Sequence, residues 1–273
     1  MEFKFFSKNG KILPIEQAVI PLSNIEYTYG FGVYESIRIT NGVVYFLKDH
    51  TERLMDSAAQ IGLTHPFSAP FVEESAMKLK EKTAAESYNL KILLIGGKDP
   101  SLYILCLNPL FPDKKLYRDG VHCITYSYER MFPHAKTLNM LGSYLAYREA
   151  KRAGAYDALL LNNEGNISEG TRTNFFCIKG ATLTSPPETD ILLGVTRKHV
   201  AEVARKNGFA LEEKSISLED LKRYDGAFLT STSSKILPIR TIDSFTFGQP
   251  GEALKKLIEK FDEFVLNSDR KKA

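Results

Sequence analysis

Apolar positions alternate with a period of two in short runs and of nearly four in longer ones, and turn residues punctuate the switch. Residues 4–6 and 11–13 flank Asn9-Gly10, and 32–40 and 43–47 flank Asn41-Gly42. Each is an alternating run on either side of the strongest short hairpin signal. The runs 90–95 and 102–107 surround Gly96-Gly97-Lys98-Asp99-Pro100 and predict a third hairpin. Between them, residues 48–61 place Leu54, Ala58 and Ile61 on one helical face, and 72–87 reads as a second helix, charged and alanine-rich. After the proline-bearing stretch 108–119 the pattern changes to strand 122–126, helix 138–154, and strands 158–161 and 174–178. Helix 196–207, strand 209–214, helix 218–224, strand 227–230 and helix 252–264 complete it.

Strands and helices mixed without strict alternation predict an α/β (α+β) chain in two lobes. The expected division is a small N-terminal α/β domain over 1–110, a linker over 111–121 and a larger C-terminal domain over 122–273. A chain of 273 residues supports a sizeable core in this arrangement.

Composition narrows the function classes. The net charge is only +3, and the one basic cluster, Arg270-Lys271-Lys272, reads as a solvated tail, so nucleic acid is not expected as a partner. No apolar run reaches membrane-spanning length, and the charged N-terminus does not resemble a signal peptide. Three cysteines without paired spacing (Cys106, Cys123, Cys177) suit reduced thiols in a cytoplasmic setting. The five histidines show no metal-ligand spacing, so no metal is expected. HExxH, P-loop, GxSxG and GxGxxG motifs are absent.

The chemistry concentrates in residues 136–174, where a lysine opens a predicted amphipathic helix and a carboxylate, Glu169, follows in a glycine-flanked turn. A lysine amine and a carboxylate brought together suit pyridoxal 5'-phosphate (PLP). The amine carries the aldehyde as a Schiff base, and the carboxylate keeps the ring nitrogen protonated. Taken alone, the same two residues are equally a solvated helix-start lysine and a turn acid. Leu193-Gly194-Val195-Thr196, just before an amphipathic helix, suits an anion at the helix N-terminus or a simple cap. Ser231-Thr232-Ser233-Ser234, at a strand end, suits an anion cradle or a polar loop, and Arg53 suits a phosphate clamp or a surface ion pair.

Read in order, YGFGVYESIR, HTERL at 50–54, KTLN from Lys136, SEGTRTN, LLGVTR and LTSTSSKILPIRTID resemble the class IV PLP-dependent aminotransferases, the fold-type IV enzymes. That family includes branched-chain and D-amino acid aminotransferases and aminodeoxychorismate lyase. The resemblance implies a two-domain homodimer with PLP between a small and a large domain. It implies that Lys136 carries the cofactor and moves the substrate Cα proton, and that Glu169 holds the pyridine nitrogen. Arg53, Val195, Thr196 and Thr232 would hold the phosphate, and Tyr29, Tyr34, Arg38 and Ser233 would contact substrate. The substrates it implies are an amino acid and a 2-oxo acid such as 2-oxoglutarate.

Within the family, the segment 97–101 lacks the Arg-x-His pair common in D-enzymes, though Lys91 or Lys98 can substitute. Tyr29, Arg38 and Pro238-Ile239-Arg240 resemble branched-chain enzymes. Met140 stands where a tyrosine is usual and Lys235 where glutamate is frequent, while Ser36 resembles the lyases. The order is a hydrophobic or branched-chain L-amino acid aminotransferase first, a D-amino acid aminotransferase second and the lyase third. A non-catalytic PLP binder is the reading from another class.

Overall fold

The computed structural model describes residues 2–109 and 111–270, which leaves Lys271 and Lys272 of the basic cluster outside the described residues. It divides into two compact units, one of Met1–Leu110 with His134–Met140 and one of Phe111–Pro133 with Leu141–Ala273.

The first unit runs β1 (Phe5–Lys8), β2 (Lys11–Pro14), α1 (Ile25–Tyr29), β3 (Gly32–Thr40) and β4 (Val43–Val44). Then come α2 (Leu47–Gln60), α3 (Ala69–Glu81), β5 (Tyr88–Ile95) and β6 (Ser101–Leu107). The strands form one antiparallel sheet in the order β2-β1-β6-β5-β3-β4. Val33, Ile37 and Ile39 of β3 and Leu90, Ile92 and Leu94 of β5 occupy alternate positions. Leu54 and Ala58 of α2 and Val72, Ala76 and Leu79 of α3 recur at helical spacing. These two periods put one apolar face on the sheet and one on each helix, and the faces form a common core. Ser68 caps α3 by accepting from the Phe71 N–H, and Glu81 ends it before the 87 predicted. The second hairpin is shorter than predicted, because Phe46 turns into the left-handed region (φ 54°) and α2 begins one residue later.

The second unit contains α4 (Lys114–Asp119), β7 (Val121–Ser127), α5 (Leu141–Arg152), β8 (Asp157–Leu161), β9 (Asn166–Gly170), β10 (Asn174–Lys179) and β11 (Thr182–Ser185). It continues with α6 (Val195–Lys206), β12 (Ala210–Glu213), β13 (Ile216–Ser217), β14 (Gly226–Ser231), β15 (Lys235–Ile242), β16 (Phe245–Thr246) and α7 (Glu252–Arg270). Strands β10, β14, β15, β7, β8 and β9 follow one another around a sheet that closes on itself, because β9 also pairs with β10. The closing pair is Glu169 opposite Asn174. Leu159, Ile167, Phe175, Leu229, Leu237 and Ile239 belong to one buried cluster contributed by these strands.

Several expectations are corrected here. Residues 111–121 hold a helix and the start of β7 rather than an extended linker, because Asp113 caps α4 by accepting from the Leu116 N–H. Lys136 does not open a helix: α5 begins at Leu141, and the segment around Lys136 bonds to β3. Glu169 lies in strand β9, one residue before the turn. The predicted helix 218–224 is a short 3-10 turn, Glu219–Arg223. No helix among the described residues is long and apolar enough to cross a membrane.

Candidate active site

In the first unit, segment His134–Met140 lies along β3. The Tyr34 N–H donates to the Lys136 carbonyl at 2.9 Å and the Leu138 N–H to the Gly32 carbonyl at 2.8 Å. The Lys136 N–H in turn donates to Ser57 Oγ of α2 at 3.1 Å. Lys136 is therefore fixed through its backbone by a strand and a helix, with its half-buried side chain projecting over the ring of Tyr34. Its Nζ lies 4.6 Å from the ring centroid, and Lys91 Nζ from β5 lies 3.4 Å from the same centroid. Tyr34 Oη donates to Met140 Sδ at 3.7 Å, so the thioether serves as an acceptor for this tyrosine.

One residue further along β3, the opposite face carries Glu35, fully buried. Arg53 of α2 grips it through two parallel bonds, Nε at 2.6 Å and Nη2 at 2.8 Å. His50 Nδ1, one turn earlier on the helix, lies 2.8 Å from the same carboxylate. Burial opposes ionisation of Glu35, but Arg53 and His50 outweigh it and hold the carboxyl well below its usual range. Burial also pushes His50 down. Arg53 already balances the carboxylate and Lys136 adds positive charge, so His50 stays neutral. Sequence reading singled out Arg53 but missed Glu35 and His50, although a glutamate inside the apolar stripe of a strand was the available signal. The fork to Glu35 engages Nε and Nη2 along one edge of the guanidinium.

In the second unit, Glu169 is 3% exposed and its two oxygens are differently occupied. Oε1 accepts from Arg130 Nη1 at 2.7 Å. Oε2 accepts from the Leu192 N–H at 3.2 Å and from Asn174 Nδ2 at 3.3 Å. Arg130 was not singled out in the sequence and no local pattern marks it, while Asn174 closes the SEGTRTN pattern but was given no role there.

The turn after Glu169 is built around buried Asp157. Its Oδ1 accepts from Thr171 Oγ1 (2.5 Å), the Thr171 N–H (3.3 Å) and the Ala158 N–H (2.9 Å), while Oδ2 accepts from Thr173 Oγ1 (3.0 Å). Burial pushes the Asp157 carboxyl up, against the pull of these donors and of Arg172. A Cβ on Gly170 would lie 2.1 Å from Thr173 Oγ1 and 2.7 Å from Asp157 Oδ2, so only glycine fits the turn. Gly170→Ala is therefore expected to destabilise the protein by about 1–3 kcal/mol, read as a lower thermal midpoint. An unchanged midpoint would mean that the turn opens without cost.

Two of the phosphate candidates, Val195 and Thr196, open α6. Gly194 precedes the helix without a side-chain cap, and Val195 and Thr196, both buried, form its first turn. Thr230, opposite Asn174 on β14, has a buried hydroxyl with no hydrogen-bond partner. An uncapped helix N-terminus beside an unsatisfied buried hydroxyl fits an anionic group, so the donor set is compatible with PLP phosphate. Thr232 and Ser233 lie in the turn after β14, where Ser231 and Ser234 bond to each other at 2.7 Å. Tyr29 is 78% exposed at the end of α1, and Arg38 donates to Thr40 Oγ1 at 3.0 Å further along β3.

Residues 32–242 match the amino-transferase class IV family. A protein of Methanocaldococcus jannaschii provisionally named branched-chain-amino-acid aminotransferase is 34% identical, over 93% of this chain and 94% of its own. A D-alanine aminotransferase of Bacillus licheniformis is 30% identical, over 96% of this chain and 98% of its own. The PLP-form structure of a branched-chain amino acid aminotransferase from Thermobaculum terrenum superposes with a TM-score of 0.88. It is 26% identical and covers 98% of this chain and 95% of its own. A closed-barrel unit and an antiparallel-sheet unit bearing these residues thus define a class IV aminotransferase, and the chain belongs to that family. It is a PLP-dependent enzyme that acts on an amino acid and a 2-oxo acid.

Proposed function

We propose that this enzyme moves the amino group of a hydrophobic or branched-chain L-amino acid to a 2-oxo acid such as 2-oxoglutarate. The observation that carries this reading is the surrounding of Lys136. The Tyr34 ring lies beside it and bonds the Met140 thioether, an aromatic and thioether surface suited to an aliphatic side chain, with the Lys91 ammonium over the same ring. The segment 97–101 after β5 offers no arginine or histidine to hold a carboxylate, which disfavours the D-amino acid alternative that one group of relatives suggests.

PLP, when bound, supplies the electron sink that makes the substrate Cα–H bond acidic. Lys136 is the group that holds the cofactor covalently and, as a free neutral amine, takes and returns the Cα proton. Glu169 keeps a proton on the pyridine nitrogen, and Arg130 fixes the carboxylate for that task. Arg53, Val195, Thr196 and Thr232 hold the phosphate, and Tyr29, Tyr34, Arg38 and Ser233 contact substrate. A homodimer is part of the same reading. Val19, Ile20, Leu22, Ile25 and Tyr29 expose apolar surface within one short segment, the kind of patch that a second copy covers. Cys106, Cys123 and Cys177 are buried free thiols, in keeping with a cytoplasmic setting.

The test follows the visible absorbance of the purified enzyme during addition of single amino acids in L and D forms. L-Leucine, L-isoleucine or L-valine should bleach it, and D-alanine should leave it unchanged. Bleaching by D-alanine alone would replace this reading with the D-amino acid one.

A further inference from the structure

Three features of the second unit converge on one side chain. Asn174 Nδ2 donates to Glu169 Oε2 at 3.3 Å and to the Leu192 carbonyl at 2.7 Å. The Leu192 N–H returns a bond to the same Glu169 oxygen at 3.2 Å. The amide oxygen of Asn174 points at Gly194, where a Cβ would fall only 2.0 Å from Oδ1. Asn174 is 5% exposed and also forms the pair with Glu169 that closes the barrel. It therefore touches the buried carboxylate on one side and the glycine turn that opens α6 on the other.

We infer that Asn174 is a positioning residue that sets the spacing between the carboxylate of Glu169 and the N-terminus of α6. The inference rests on the reading in which Glu169 holds the pyridine nitrogen and the α6 turn holds the phosphate. A rigid ligand that uses both anchors at once needs their separation fixed, and a ligand that uses one does not. Asn174 supplies that constraint with two donated bonds and one close packing contact. Gly194 is glycine here because the amide oxygen takes the space of a Cβ, and its φ of −64° would otherwise accept alanine without strain.

The experiment compares the affinities of cofactor-free protein for PLP and for pyridoxal, which lacks the phosphate. Asn174→Ala should lower the PLP-to-pyridoxal affinity ratio by about tenfold, the scale of coupling between groups in contact. General damage to the fold would weaken both ligands alike and leave the ratio unchanged, and that result overturns the inference. Gly194→Ala, which pushes on the amide from the other side, should lower the ratio to a similar extent. In the Asn174→Ala background it should add little, because the group it strikes is gone. Two effects that simply multiply would also overturn the inference. Thr196→Val serves as the control for the underlying reading. If it leaves the ratio unchanged, the phosphate assignment fails and the inference with it. If it lowers the ratio while Asn174→Ala does not, the inference alone fails.

Discussion

Lys136→Ala should remove the visible absorbance of the bound cofactor and lower turnover by on the order of 10⁴-fold, the upper range for a positioned acid–base group. The loss should not come from unfolding. The backbone of this residue bonds with Tyr34 and Ser57, and alanine keeps both bonds. Circular dichroism and the thermal midpoint of cofactor-free protein should therefore match the parent, while the absorbance spectrum loses its visible band. Turnover within about tenfold of the parent would remove Lys136 from the catalytic role.

The second large effect concerns stability. Glu35→Gln would leave Arg53 without its charge partner in a largely buried site, where its side chain is only 13% exposed. Breaking a buried pair from one side costs about 3–5 kcal/mol, since the remaining charge stays desolvated. That is a large fraction of the stability of an ordinary domain and should appear as a marked fall in thermal midpoint. The same cluster gives a pH dependence. In the unfolded chain a histidine takes up its proton near pH ~6.5 and a glutamate near ~4.3. The folded chain keeps His50 neutral and Glu35 ionised to lower pH. Below each unfolded value the unfolded state binds the extra proton, so acidification removes stability, first through His50 and then through Glu35. The midpoint of the parent should fall as pH drops below about 6.5, and His50→Gln should flatten the upper part of that fall. Identical pH profiles for parent and variant would show that folding leaves the proton affinity of His50 unchanged and would overturn this account.

Much of the first unit could be read directly, because its signals are local. Asn9-Gly10 and Asn41-Gly42 each adopt positive φ at both positions, as a tight hairpin turn demands. The motif residues around Lys136, Glu169 and Thr196 were legible as a set of short patterns. Features that depend on distant partners were not. Leu138, Leu141 and Leu145 share helical spacing, so the period carried the predicted helix back past Met140. The bonds from Lys136 and Leu138 to β3, about a hundred residues earlier, are what hold that stretch extended. Strand β15 was missed because Pro238 argues against a strand, yet it lies between β14 and β7. The proline is tolerated where the pairing with β7 begins and shifts register, between Ile239 and Thr241. Arg130 joins Glu169 across a long stretch of sequence with no neighbour that announces it, and the contacts of Asn174 could not be read from the SEGTRTN pattern that it closes.

The return of His134–Met140 to the first unit also bears on how the chain is made. A ribosome releases residues in order, and the strand pairs of the first sheet are all available once Leu107 has emerged. The free N–H of Tyr34 and carbonyl of Gly32 gain their partners only after Phe111–Pro133 has been synthesised as well. The stretch bearing Lys136 is thus the last piece to join a unit whose other parts can already have assembled. A nascent chain arrested near residue 110 would hold the hairpins and both covering helices but lack Lys136 and the segment that completes the edge of β3.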